Sequence, residues 1–85
     1  MKKTEFVKAV AKQNGISTRQ AYRAVNAVMD TLRVLLSEGE DIEIGGLGTF
    51  EILTDLRGNR TAVFRSGKAL FRVLNTPVDT KEQED

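Results

Sequence analysis

The side chains best placed to do chemistry fall in two short stretches, Gly46-Leu47-Gly48 with Glu51 after it, and Arg65-Ser66-Gly67-Lys68. The first carries two glycines and a following acid, as a dinucleotide-binding turn does. That turn also needs a third glycine or alanine and a helix behind it, whereas Thr49 onward is strand-like. Gly67-Lys68 matches the end of a phosphate-binding P-loop. Ala69, however, stands where a Ser or Thr would hold magnesium, and Ala62 where the loop's other glycine belongs. There is no histidine and no cysteine, which removes the usual general base, the usual zinc ligands and any disulfide. No pair of carboxylates is set by spacing in an evident cleft. The sequence therefore points away from an enzyme, from a metal site and from any cofactor or small-molecule substrate.

Anion binding is what remains. Ser66 sits where a cap would open a helix beginning at Lys68, and Arg65 lies beside it. Backbone N–H groups and the helix dipole at such a start attract an anion. The plainer account of the same residues is a helix cap and a surface lysine. Gly46 and Gly48 divide in the same way: they let the backbone approach a ligand closely, or they simply make a tight turn.

These residues need elements to hold them. Phe6, Val7, Val10 and Ala11 fall at helical spacing, predicting a first helix from Thr4 to about Gln13 that ends near Asn14-Gly15. Ser17-Thr18-Arg19-Gln20 is a capping box, opening a second helix that runs to about Glu38 and stops at Gly39. From Asp41 the period changes to two: Ile42 and Ile44 alternate with charged residues, and Gly45 to Gly48 turns the chain. A strand is predicted from Thr49 to Leu56, with a tight Gly58-Asn59 hairpin turn and a return strand from Thr61 to Arg65. Lys68 to Asn75 closes the fold as a helix, and Pro77 opposes its continuation. The expected class is α+β: two helices, a three-stranded antiparallel meander and a C-terminal helix, in one domain over residues 1–75. Residues 76–85 are expected to be a disordered acidic tail.

The second helix is apolar over a wide arc. Tyr22, Val25, Met29, Leu32 and Leu36 form one stripe, Ala21, Val28 and Leu35 another, and Ala24, Ala27 and Val34 broaden both. Packing on one neighbour needs a narrower stripe, and 85 residues leave little chain to cover the rest. Burial against a second subunit is the better account, with Tyr22, Val25, Met29, Leu32 and Leu36 at the interface. Phe50 and Phe64 are expected in the core or at that interface rather than on a ligand. The formal charge of +1 conceals an uneven distribution. Residues 76–85 set Asp79, Glu82, Glu84 and Asp85 against Lys81, a net of −3, so the first 75 residues carry twelve basic and eight acidic groups, a net of +4. That balance favours a polyanion modestly. No apolar run reaches the length of a membrane span, and Met1-Lys2-Lys3-Thr4 is not followed by an apolar signal region. A cytoplasmic protein is expected.

Gly46-Leu47-Gly48-Thr49-Phe50 and Phe64-Arg65-Ser66-Gly67-Lys68-Ala69-Leu70, with the opening Lys2-Lys3-Thr4-Glu5-Phe6 and a closing Asn75, occur in the order of the bacterial histone-like HU/IHF family. The chain resembles that family over residues 1–75, except in the middle of the hairpin. The resemblance implies an intertwined dimer that binds duplex DNA in the nucleoid. Family members grip DNA with two long β-arms and wedge a proline at each tip into the minor groove. Here only residues 51–63 separate Phe50 from Phe64, the sole proline is Pro77, and Leu53 and Asp55 stand where basic residues are common. The expected activity is sequence-tolerant duplex binding through phosphates with little kinking. Lys3, Arg57, Arg60, Arg65, Ser66 and Lys68 would carry the contacts, with Lys2 a further contributor and Gly46 and Gly48 allowing close approach. The rival expectation is an interaction module that keeps the dimer fold without DNA. It would pair with a full-length relative as a heterodimer, or bind another protein through its β-face. The trimmed arm, Leu53, Asp55 and the acidic tail, which could compete with DNA for the basic surface, favour it.

Overall fold

In this computed structural model, which describes residues 1–77, the order is α1 (Lys3–Asn14), α2 (Thr18–Ser37), β1 (Ile42–Ile44), β2 (Gly48–Thr54), β3 (Arg60–Ser66) and α3 (Lys68–Asn75). The chain divides into two compact units, residues 1–37 and the residues from Glu38 onward. The acidic tail foreseen beyond Pro77 lies outside the described residues.

The first unit is a helical hairpin. α1 opens with the Lys2 backbone N–H donating to Glu5 Oε1 at 2.7 Å and closes at Gly15, whose N–H donates to the Ala11 carbonyl. The capping box at α2 is formed as the sequence indicates. Gln20 N–H donates to Ser17 Oγ at 3.0 Å, and Ser17 N–H donates to Gln20 Oε1 at 3.0 Å. The core between these helices is small: Val7 and Ala11 of α1 meet Ala21 and Val25 of α2, with Val10 and Ile16 packed on its edge. Valine and alanine let the two helix backbones approach closely, and little else of α2 is covered. Tyr22, Val28, Met29 and Val34 remain exposed. Phe6, Val10, Ala24, Val25, Val28 and Met29 line an open apolar groove of about 250 Å³.

The second unit is an antiparallel sheet in the order β1-β2-β3, followed by α3. Its register pairs Ile42 with Phe50, Phe50 with Phe64, Thr54 with Arg60 and Gly48 with Ser66. Because side chains alternate along a strand, one face collects Ile42, Ile44, Phe50, Ile52, Ala62 and Phe64. The other collects Glu43, Thr49, Glu51, Leu53, Thr61, Val63 and Arg65. Phe50 and Phe64 are direct cross-strand neighbours, with ring centroids 5.0 Å apart and planes tilted by 54°, a favourable aromatic arrangement. Among its described residues this unit has no buried apolar side chain. Phe64 is 41% exposed, and Phe71, Val73 and Leu74 of α3 are exposed.

Three local expectations are corrected. The hairpin does not turn on a tight Gly58-Asn59 pair. Its strands end at Thr54 and resume at Arg60, and the loop between them closes on Asp55 and Asn59. Asp55 N–H donates to the Asn59 carbonyl at 2.9 Å and Gly58 N–H to the Asp55 carbonyl at 3.0 Å, with Gly58 at φ +87°. This is a three-residue turn closed by a left-handed glycine. Ser66 is the last residue of β3 and not the cap of α3; Gly67 holds that position, without a side-chain bond. Arg60 opens β3, one residue before the predicted start of the return strand at Thr61.

Candidate nucleic-acid interface

Gly67 N–H donates to the Leu47 carbonyl at 2.9 Å, pinning the turn between β1 and β2 against the junction of β3 and α3. A Cβ on Gly67 would meet Gly48 Cα and the Leu47 carbonyl oxygen at 3.5 Å, an ordinary contact distance. Gly48 is fixed more tightly. A Cβ there would lie 2.2 Å from the Arg65 carbonyl oxygen and 2.7 Å from Phe64 Cζ. Internal packing thus accounts for Gly48. Gly46 has φ +85° with open space around it, so backbone conformation accounts for that glycine and leaves its surface clear.

This pinning brings Gly46, Arg65, Ser66 and Lys68 to one end of the sheet. The first bond of α3 runs from Phe71 N–H to the Gly67 carbonyl. The N–H groups of Lys68, Ala69 and Leu70 therefore head the helix without intrahelical partners. An exposed lysine, an exposed arginine and a helix N-terminus in one place can receive a phosphate group. Arg65 is already engaged, however. Its Nε donates to Glu51 Oε1 at 2.6 Å, and that hydrogen bond and charge hold its pKa above the ordinary arginine value.

Within the sheet unit, Arg57 and Arg60 do not join this cluster. Arg57 lies in the hairpin loop, its N–H donating to Asp55 Oδ1 at 2.8 Å. Arg60 shares the sheet face of the phenylalanine pair, opposite to the face of Arg65, and its Nη1 lies 3.9 Å from where a Gly39 Cβ would be. Lys3 belongs to the first unit, where its Nζ stands 5.5 Å from the centre of the Tyr22 ring, within cation–π range. Of the residues assigned to the subunit interface, Tyr22, Met29 and Phe64 are exposed, and Leu32, Leu36 and Phe50 are partly covered. Val25 is already buried within its own helical hairpin.

Three residues that matter here were given other meanings by the sequence. Asp55 organises the hairpin loop. Its Oδ1 accepts from Arg57 N–H and from Asn59 N–H at 2.9 Å, and these backbone bonds, Asn59 first, hold its carboxyl below the ordinary aspartate range. The signal was available as Asp-x-x-Gly-Asn. Leu56, at the tip, is fully exposed. Glu51, set aside with the failed dinucleotide turn, proves to be the partner of Arg65.

Comparison with known proteins agrees with this architecture. The family described as Bacterial DNA-binding protein matches residues 1–63. DNA-binding protein HU of Geobacillus stearothermophilus is 31% identical over 85 residues, covering 82% of this chain and 94% of that protein. The HU of Staphylococcus aureus (strain COL) is 29% identical with the same coverage. Since 82% of this chain is about 70 residues, roughly 15 positions of the 85-position match have no counterpart here. Among solved structures, a mutant HU from Thermotoga maritima superposes with a TM-score of 0.77 at 31% identity, covering 88% of this chain and all of that one. An HU–DNA cocrystal structure from Anabaena, at 24% identity and TM-score 0.74, covers 91% of this chain and all of that one, and shares the fold. No helix among the described residues is long and apolar enough to cross a membrane. Motif order, fold and sequence match together make this chain a member of the bacterial DNA-binding protein family, the HU/IHF family that its motifs resemble.

Proposed function

We propose that this chain is a sequence-tolerant duplex-DNA-binding protein of the nucleoid-associated type, acting as a dimer through phosphate contacts and kinking DNA little. The bond from Gly67 N–H to the Leu47 carbonyl carries the reading, because it holds Gly46, Arg65 and Lys68 beside the open start of α3. Lys68 and that helix start are the principal phosphate ligands. Arg65, Ser66 and the Gly46 backbone stand next to them, while Arg57 and Arg60 add positive charge elsewhere on the sheet unit and Lys3 adds it on the helical hairpin. Contacts of this kind give affinity and register but read no bases. The family assignment supports DNA as the polyanion, and the relatives of known function are DNA-binding HU proteins. Dimerisation is supported by a sheet unit with no buried apolar side chain among its described residues and by the exposed apolar arc of α2. The tip holds Leu56 in a tightly bonded short loop, and no proline stands there to act as a wedge.

The test is Lys68→Ala combined with Arg65→Ala. Affinity for unrelated duplexes should fall alike, and the slope of log affinity against log salt should flatten by about one for each phosphate that is no longer engaged. Unchanged affinity and slope would remove the phosphate site. A second reading, an interaction module that pairs with a relative or another protein, is favoured by the Arg65–Glu51 pair and by Asp55 at the hairpin. A dimer that fails to bind duplex even at low salt would establish that reading in place of the first.

A further inference from the structure

We infer that Glu51 sets the DNA affinity of this protein by withholding Arg65 from phosphate, an inference that rests on the DNA-binding reading above. The geometry is specific to the register of the hairpin. Arg65 stands opposite Thr49, and Glu51 stands opposite Val63, two residues further along β2 on the same face. That is the diagonal cross-strand relation within reach of long side chains. The bond is short, 2.6 Å from Nε to Oε1, and the two side chains are unequally exposed, 66% for Arg65 and 31% for Glu51. The carboxylate is thus the better anchored partner, and the guanidinium is the one that must turn away if it is to meet DNA.

Arg65 is the only basic residue on its sheet face among the strand residues: Glu43, Thr49, Glu51, Leu53, Thr61 and Val63 make up the rest. With Glu51 paired to it, that face offers a polyanion no uncompensated positive charge. Lys68 and the start of α3 lie next to Arg65 along the chain, so releasing Arg65 would enlarge an existing phosphate site and not create a separate one. Exposed ion pairs are weak, so the restraint is modest and reversible. A polyanion competes with the carboxylate for the same donors, and DNA at low salt is a strong competitor. Glu51 therefore acts as a positioning residue, through Arg65, on a ligand it does not touch.

The experiment is a double-mutant cycle on duplex affinity across a salt series, using the parent, Glu51→Gln, Arg65→Ala and the double variant. Glutamine keeps the size and a hydrogen-bond acceptor while removing the charge. Glu51→Gln should tighten binding about 1.5-fold to fivefold at low salt, commensurate with a surface pair. It should also steepen the salt slope by about one for each additional phosphate engaged. Arg65→Ala alone should cost less than about twofold, because the parent's Arg65 is already engaged. In the Arg65→Ala background the gain from Glu51→Gln should vanish. A gain of equal size in both backgrounds would mean that Glu51 only adds negative charge, and would overturn the inference. A parent that binds while Glu51→Gln gives no gain would overturn it too and leave the DNA-binding reading standing. Binding by none of the four, at low salt, would remove that reading and this inference together. Glu43→Gln, on the same face, serves as the control for charge removal alone and should not reproduce the Arg65-dependent gain.

Discussion

At the residue scale, one side chain organises the loop of the hairpin. Asp55 stands just after the end of β2. Here its carboxylate accepts two backbone N–H bonds, and Asn59 Nδ2 stands 3.4 Å from Oδ2. Those bonds favour the ionised form, so the Asp55 pKa is lowered, chiefly by the Asn59 N–H. The sign of the linkage follows: a depressed carboxylate stabilises the folded loop above its unfolded pKa, and that contribution is lost as pH falls through the lower, folded value. The loop should therefore keep its structure at neutral pH and loosen only under acid conditions below the ordinary aspartate range. Amide chemical shifts of Arg57 and Asn59, followed from neutral pH downward, check this. Both should move together in a single step at low pH, and Asp55→Ala should abolish the step and speed exchange of the same two amides. A step at or above the ordinary aspartate value would contradict the assigned role.

At the scale of elements, helices and strand order were legible in the sequence because their signals are local. The S-x-x-Q box at Ser17 places the start of α2 correctly, and Lys68–Asn75 is read to the residue because Gly67 and Pro77 bracket it. The turn of the hairpin was misread because Gly58-Asn59 is a strong local pair, whereas the bonds that decide the loop come from Asp55, four residues before Asn59. The site was legible only in part. Its residue types are visible in Arg65-Ser66-Gly67-Lys68, but the pairing of Glu51 with Arg65 depends on strand register, which no spacing along the chain encodes. Gly48 illustrates the same limit. A glycine in a turn reads as backbone freedom, while the strand pairing shows a position where the Phe64 ring and the Arg65 carbonyl leave no room for a Cβ. Gly48→Ala should therefore destabilise the protein by about 2 kcal/mol or more through overpacking. Gly46→Ala, which meets open space and only an unfavourable φ, should cost about 1 kcal/mol. Thermal or urea unfolding of the two variants measures the order, and a Gly48 variant as stable as the Gly46 one would refute the packing argument.

At the scale of the whole molecule, the described chain has more apolar surface than core. Four small side chains are buried between α1 and α2, none in the sheet unit, and Phe71, Val73, Leu74, Val28, Val34 and Met29 are left exposed. A chain of this size with no cysteine to form a disulfide needs that surface covered, which is the physical ground for a dimer. On the proposed reading, duplication would also double the modest positive charge of the first 75 residues and set two weak phosphate sites on one duplex. The proposed function combines these features in a dimer that holds DNA by its phosphates without reading sequence. It is tested most directly by the fluorescence anisotropy of short labelled duplexes of unrelated sequence, titrated across a salt series with protein shown by sedimentation to be dimeric. Binding at low salt should weaken steeply and equally for all sequences as salt rises, with a slope that counts the phosphates engaged per dimer. A dimer that shows no binding at low salt, or binding that holds its strength as salt increases, would contradict it.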